Sequence, residues 1–130
     1  MNREIKFRGK HSNKWIYGYL LKSIDDNKYY ISVSLDQFYQ VKEETIGQYT
    51  GLKDKNGKDV YEGDICKGNK FSNENELFVI KYGKYKTKDW KEKYISNTYQ
   101  YGWFAEYIKT KDQVHLVTPN GIEVIGNIYE

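Results

Sequence analysis

The sequence predicts a nearly all-β fold, and three observations carry that prediction. Short runs of β-branched and aromatic residues, bounded by Gly, Asn and Asp, recur about every ten residues, the rhythm of a small barrel or sandwich. A helical period is hard to find in any window. The chain of 130 residues holds 14 Tyr, 5 Phe and 3 Trp while only 38% of its residues are apolar, so aromatic rings must supply much of the core volume.

In chain order, the candidate strands are residues 3–8, 14–22, 28–34, 44–50, 63–68, 76–82, 99–108, 113–118 and 122–128. In the first, alternation sets Lys6 with Arg8 on one face and Ile5 with Phe7 on the other. Asp25-Asp26-Asn27 separates Leu20-Leu21 from Tyr29-Tyr30-Ile31 as a turn. Asn56-Gly57, between Lys53-Asp54-Lys55 and Lys58-Asp59-Val60, predicts a hairpin tip, because this pair adopts positive φ most readily. The polar stretch 69–76 reads as an exposed loop, and 83–98 reads either as one amphipathic turn or as an extended hairpin. Thr118-Pro119-Asn120-Gly121 has the chemistry of a tight turn and predicts that 114–117 fold back on 122–125. The segments are expected to pair locally, as antiparallel meanders do.

Length places the chain in the range of one domain, residues 1–130. No apolar run reaches the roughly 20 residues of a membrane helix, and Met1-Asn2-Arg3-Glu4-Ile5-Lys6 lacks the apolar stretch of a signal peptide, so a cytoplasmic location is expected. The single Cys66 excludes an internal disulfide and fits a reducing compartment. Twenty-one basic residues against 18 acidic ones give +3, too mild to establish a nucleic-acid partner. Arg3 and Arg8 are the only arginines, and abundant Lys, Asn, Ile and Tyr suggest a low-GC genome.

No pattern of residues suggests catalysis, and neither a cofactor nor a metal is expected. His11 and His115 lack the Cys or His neighbours of a metal site, and His115 reads as an ordinary strand residue. Cys66 reads as a packing residue. The carboxylate pairs Asp25-Asp26, Glu43-Glu44 and Glu62 with Asp64 read as solvated turns. One segment has a physical case for binding. Residues 81–94 interleave Lys81, Lys84, Lys86, Lys88, Lys91 and Lys93 with Tyr82, Tyr85, Trp90 and Tyr94 against only two acids. Lysines can neutralise phosphates while rings stack on exposed bases, the combination of single-strand binders. Period-two alternation of a solubilising strand pair writes the same text with no ligand. A basic run at Arg3, Lys6, Arg8, Lys10 and Lys14 extends the candidate surface.

Gln48-Tyr49-Thr50-Gly51-Leu52-Lys53-Asp54-Lys55-Asn56-Gly57-Lys58-Asp59-Val60-Tyr61-Glu62-Gly63-Asp64-Ile65 resembles a block of the YopX family of phage and prophage proteins. The opening Arg3-Glu4-Ile5-Lys6-Phe7-Arg8-Gly9 and the ending Val124-Ile125-Gly126-Asn127-Ile128-Tyr129-Glu130 resemble that family's terminal signatures, in the same order. The resemblance implies a β-rich antiparallel barrel similar to the SH3 type with an additional hairpin or extension, encoded by a phage or prophage of a low-GC Gram-positive host, and implies no catalytic residue. Physically the blocks look structural: Gly51, Gly57 and Gly63 fall where turns are expected, and Asp64 can cap one of them.

The function expected is that of a non-enzymatic binding module, with nucleic acid the favoured partner and a host or phage protein the alternative. The candidate nucleic-acid residues are Lys81, Lys84, Tyr85, Lys86, Lys88, Trp90, Lys91, Lys93, Arg3 and Arg8. A continuous positive face would favour nucleic acid, and an uncharged patch of rings would favour protein. Tyr99, Tyr101 and Trp103 share one parity opposite Phe104 and Ile108, so a strand there has two apolar faces. That predicts a homodimer through the three rings, unless 83–98 cover them within one chain.

Overall fold

The computed structural model describes residues 4–68, 76–86, 99–115 and 121–129, the side chain of His115 apart. The chain forms two compact units, Met1–Gly51 and Leu52–Glu130. All the regular structure described is extended apart from one 3-10 turn, Glu43–Thr45, as the strand-forming composition predicts.

In the first unit β1 (Phe7–His11), β2 (Lys14–Lys22), β3 (Tyr29–Ser34), β4 (Gln37–Gln40) and the start of β5 (Gly47–Lys53) lie in the order β4-β3-β2-β1-β5, and every pair is antiparallel. The Asp25-Asp26-Asn27 turn forms as expected: Asn27 takes φ 60°, and its N–H donates to the Ser23 carbonyl at 3.0 Å. Buried Ile31 and Val41 occupy the inner face. Val41 presses on Gly9, where a Cβ would stand only 2.8 Å from the valine Cβ, so a side chain at this position would displace the packing. The chain after β4 returns to β1 through the Lys42 N–H, which donates to the Lys10 carbonyl at 2.9 Å.

The second unit holds the end of β5, then β6 (Asp59–Tyr61), β7 (Asp64–Gly68), β8 (Leu77–Tyr85), β9 (Gln100–Tyr107), β10 (Gln113–His115) and β11 (Ile122–Asn127). Its sheet runs β10-β9-β8-β7-β11 around a core of Val60, Cys66, Phe78, Ile80, Ala105 and Val124. The β5–β6 hairpin turns where Asn56-Gly57 predicts, but only Gly57 has positive φ (81°), so the tip is a three-residue loop closed by Gly57. Asp54 holds this loop. One of its carboxylate oxygens accepts from the N–H groups of Asn56 and Lys58 (both 2.9 Å), and the other accepts from the Val124 N–H of β11 at 3.0 Å. Burial works against its charge, but those three donors outweigh it and hold the carboxyl below its ordinary pKa. Asp64 caps a second turn by accepting from the Tyr61 N–H at 2.8 Å.

The structure corrects several expectations. Both sheets are open, not a closed barrel: the return of β4 to β1 rests on that one backbone bond rather than a ladder, and β10 and β11 end the second sheet at opposite edges. The strand expected over 3–8 begins at Phe7. Strands β4 and β6 are short and were not expected, since four and three residues carry too little alternation to read. The fold-back of 114–117 onto 122–125 is replaced by two other pairings, β10 with β9 and β11 with β7. The β9–β10 turn competes locally, with the Tyr107 N–H donating to the Asp112 carbonyl at 2.9 Å, while Asp54 draws β11 to the hairpin. The loop expected over 69–76 lies outside the described residues except at Glu76, as do 87–98 and the Thr118-Pro119-Asn120 turn.

Candidate functional site

Of the lysine and tyrosine segment, the described part is the end of β8 with Lys86. β8 and β9 pair in unbroken register from Phe78↔Tyr107 to Tyr85↔Gln100. Alternation therefore sets Tyr82 and Lys84 on the face of Trp103 and Tyr101, and Lys81 and Tyr85 on the face of Phe104. Tyr82 meets Trp103 edge to face at 4.9 Å between centroids. The ammonium groups of Lys84 and Lys86 lie 4.6 and 6.0 Å from the centroid of Tyr99, a cation–π geometry. Tyr101, opposite Lys84, is 77% exposed.

Three candidate residues are already engaged within the fold. Tyr85 is buried and stacked on Phe104 at 4.8 Å, so its ring fills the core and cannot stack on a base; burial pushes its phenol pKa up. Lys81 is ion-paired with Glu106 at 2.9 Å. That bond, joined by one from the Gln113 amide, holds the Glu106 carboxyl below its usual range. Arg8, in the first unit, is buried with its guanidinium 4.4 Å from the Trp15 ring, a placement that denies it to a phosphate. Arg3, Lys88, Trp90, Lys91 and Lys93 lie outside the described residues. What the structure brings together is therefore Lys84, Lys86, Tyr99 and Tyr101. Among the self-association residues, Trp103 is half-buried against the core of its own unit, which leaves Tyr99 and Tyr101 exposed.

The first unit carries a surface that sequence reasoning missed. Register sets Trp15, Tyr17, Tyr19 and Leu21 of β2, Tyr30 and Ser32 of β3, and Phe38 and Gln40 of β4 on one face. None of these positions is charged, but Arg8 and Lys10 of β1, the register partners of Tyr17 and Trp15, share the face at its β1 edge. Tyr19 is 70% exposed and Phe38 56%, with Tyr17 and Leu21 also open to solvent. Tyr30 meets Phe38 edge to face at 6.0 Å and donates its hydroxyl to Asp26 at the rim. The hydrogen bond from Tyr30 holds the Asp26 carboxyl low, with help from the Lys28 N–H. The parity of Tyr17, Tyr19 and Leu21 was visible in the sequence. Which of the two faces would stay uncovered was not.

Cys66 is fully buried in the core, as expected of a packing residue, and burial first, then Asp64 and Asp54, push its thiol up to about 12, far from a reactive thiolate. No three His, Cys, Asp or Glu side chains gather in metal-binding geometry among the described residues. No helix among them is long and apolar enough to cross a membrane.

Fold and surfaces together define an all-β protein of two antiparallel sheets whose distinguishing features are exposed aromatic surfaces. Residues 6–130 match the family model described as YopX protein, and the chain belongs to the YopX family. The match spans the lysine and tyrosine segment, the two later blocks that resemble the family in sequence, and the first block from Lys6 on. No curated protein matches the chain.

Proposed function

We propose that this protein is a non-enzymatic phage or prophage accessory protein that works in the host cytoplasm by docking a protein partner on the aromatic face of β2, β3 and β4. The supporting observation is the uncharged set Tyr17, Tyr19, Leu21, Tyr30 and Phe38 on neighbouring strands, exposed in the centre and rimmed by Asp26 and Lys10. An apolar, aromatic centre with a polar rim is the anatomy of a protein interface, and the cations nearest it, Arg8 and Lys10 of β1, rest over Trp15 at its edge. The test is capture from host lysate, with and without nuclease, by the wild type and by a Tyr19→Lys, Phe38→Glu double variant. Both positions are exposed, so the fold should survive. A nuclease-resistant partner lost only with the variant supports the reading. A partner set indifferent to the variant refutes it.

A second reading, single-strand nucleic-acid binding at the end of the β8–β9 hairpin, is favoured by Lys84 and Lys86 over exposed Tyr99. It has fewer groups than the sequence suggests, since Tyr85, Lys81 and Arg8 are engaged in the fold.

A further inference from the structure

β8 is longer than β7 beside it, and the difference leaves its far end with no described strand on the β7 side. β9 pairs with β8 along its whole length, but β7 pairs only from Lys67↔Leu77 to Ile65↔Val79. The last contact on that side is the Gly63 N–H, which donates to the Ile80 carbonyl at 2.8 Å. From Lys81 to Tyr85 no described strand lies on the β7 side. In an antiparallel ladder both main-chain groups of a residue point to the same neighbour, and successive residues alternate. Ile80 points toward β7, so Tyr82 and Lys84 turn their N–H and C=O groups toward the same, open side. Their side chains are exposed as well.

The space beside this edge is shaped. A cleft of about 260 Å³ runs there, and Lys81, Tyr82 and Lys84 of β8 are among its lining, with Glu62, Gly63 and Tyr129. Its charges are unequal in what they offer. Lys81 is neutralised by Glu106, whereas Lys84 and Lys86 have no carboxylate partner among the described residues and rest over Tyr99. Sheet edges of this kind are usually blunted by a bulge, a proline, a covering loop or charged side chains, lysine above all, since they template pairing with another chain. Here the edge carries Lys84, whose charge an acidic strand neutralises.

We propose that this edge of β8 takes an extended acidic segment of a partner protein as an added strand. Main-chain bonds from Tyr82 and Lys84 hold the segment, as in other strand-addition complexes. Side chains of one parity on the guest then fall beside the Tyr82 ring and the Lys84 ammonium, so an apolar residue followed two positions on by an acidic one fits. The other parity falls over Gly83, which has no side chain to oppose it. This surface is distinct from the aromatic face of the first unit, and its test does not depend on that reading.

The experiment uses the full chain and a fluorescein-labelled, capped peptide of repeating Val-Ser-Glu-Ser, which sets valine and glutamate two positions apart on one face. Fluorescence anisotropy should show saturable binding, about tenfold or more tighter than for the same peptide with lysine in place of glutamate. Methylating alternate backbone nitrogens of the peptide should cost about tenfold again, a loss that charge attraction alone would not produce. Hydrogen exchange at the Tyr82 and Lys84 amides should slow on binding, and Lys84→Glu should reverse the glutamate preference. Equal binding of the two peptides, or indifference to N-methylation, overturns the proposal. So does an oligothymidylate whose binding is lost in Lys84→Glu while the peptide never binds, because Lys84 would then serve a phosphate.

Discussion

Removing the Asp54 carboxylate should unlock the β5–β6 hairpin from β11. In Asp54→Ala three backbone N–H groups lose their acceptor at once: Asn56 and Lys58 within the loop, and Val124 across 70 residues of chain. The two loop donors can turn to water, so each loss costs about 1 kcal/mol, but the Val124 N–H lies in the core and stays unsatisfied, at about 1–3 kcal/mol. The total is roughly 3–5 kcal/mol, a large part of the 5–15 kcal/mol that a domain commands. For a chain of this size that lowers the melting temperature by roughly 10–20 °C. Asp54→Asn keeps one acceptor oxygen and should lose about half as much. The pH dependence has a definite sign. The folded carboxyl is held below its ordinary value by its three donors, so its contribution is complete above the unfolded pKa near 4 and is lost as pH falls through the lower folded value. Melting followed by circular dichroism should therefore show a wide gap between wild type and Asp54→Asn at neutral pH, closing in acid as pH falls past the unfolded value near 4 and through the lower folded one. A melting point for Asp54→Ala within about 2 °C of wild type, or a gap unchanged in acid, would refute the argument.

Three further outcomes are expected. Gly57→Val should destabilise the protein by roughly 1–3 kcal/mol, because a β-branched residue resists the φ of 81° at the hairpin tip although its side chain would meet no described neighbour; an unchanged urea midpoint would show the tip is not strained. If the second functional reading holds, single-stranded DNA should bind weakly at low salt, release steeply as salt rises, and weaken in Lys86→Glu; a flat fluorescence titration at low salt removes it. Self-association through exposed Tyr99 and Tyr101 should give light-scattering masses above 15.5 kDa that fall to the monomer in Tyr101→Lys, whereas 15.5 kDa across a micromolar dilution series removes the dimer.

The family blocks resembled in sequence now have physical content. Gly9 yields to Val41, Asp54 and Gly57 build the hairpin tip, Asp64 caps the turn before β7, and β11 ends in the Asn127 side chain, whose oxygen accepts from the Tyr129 N–H at 2.9 Å. These are devices of folding, although Glu62, Gly63, Ile128 and Tyr129 of the same blocks also line the cleft beside β8.

The strand class, the β2–β3 turn at Asp26-Asn27, the hairpin at Asn56-Gly57 and the packing role of Cys66 were legible because each rests on local chemistry: alternation, turn residues, a lone small thiol. Parity was legible too, and it correctly set Phe104 opposite Tyr99, Tyr101 and Trp103. What the sequence could not carry was the covering of each face. Tyr85 and Arg8 read as ligand-binding residues, yet one stacks on Phe104 and the other lies on Trp15, while Tyr19 and Phe38, which no motif marked, stand open to solvent. The pairings β1 with β5 and β7 with β11 were equally hidden. Alternation along a strand specifies which side chains share a face, but burial depends on what arrives from distant parts of the chain. That choice is made by contacts such as Asp54 with Val124, which exist only once the tertiary structure has formed.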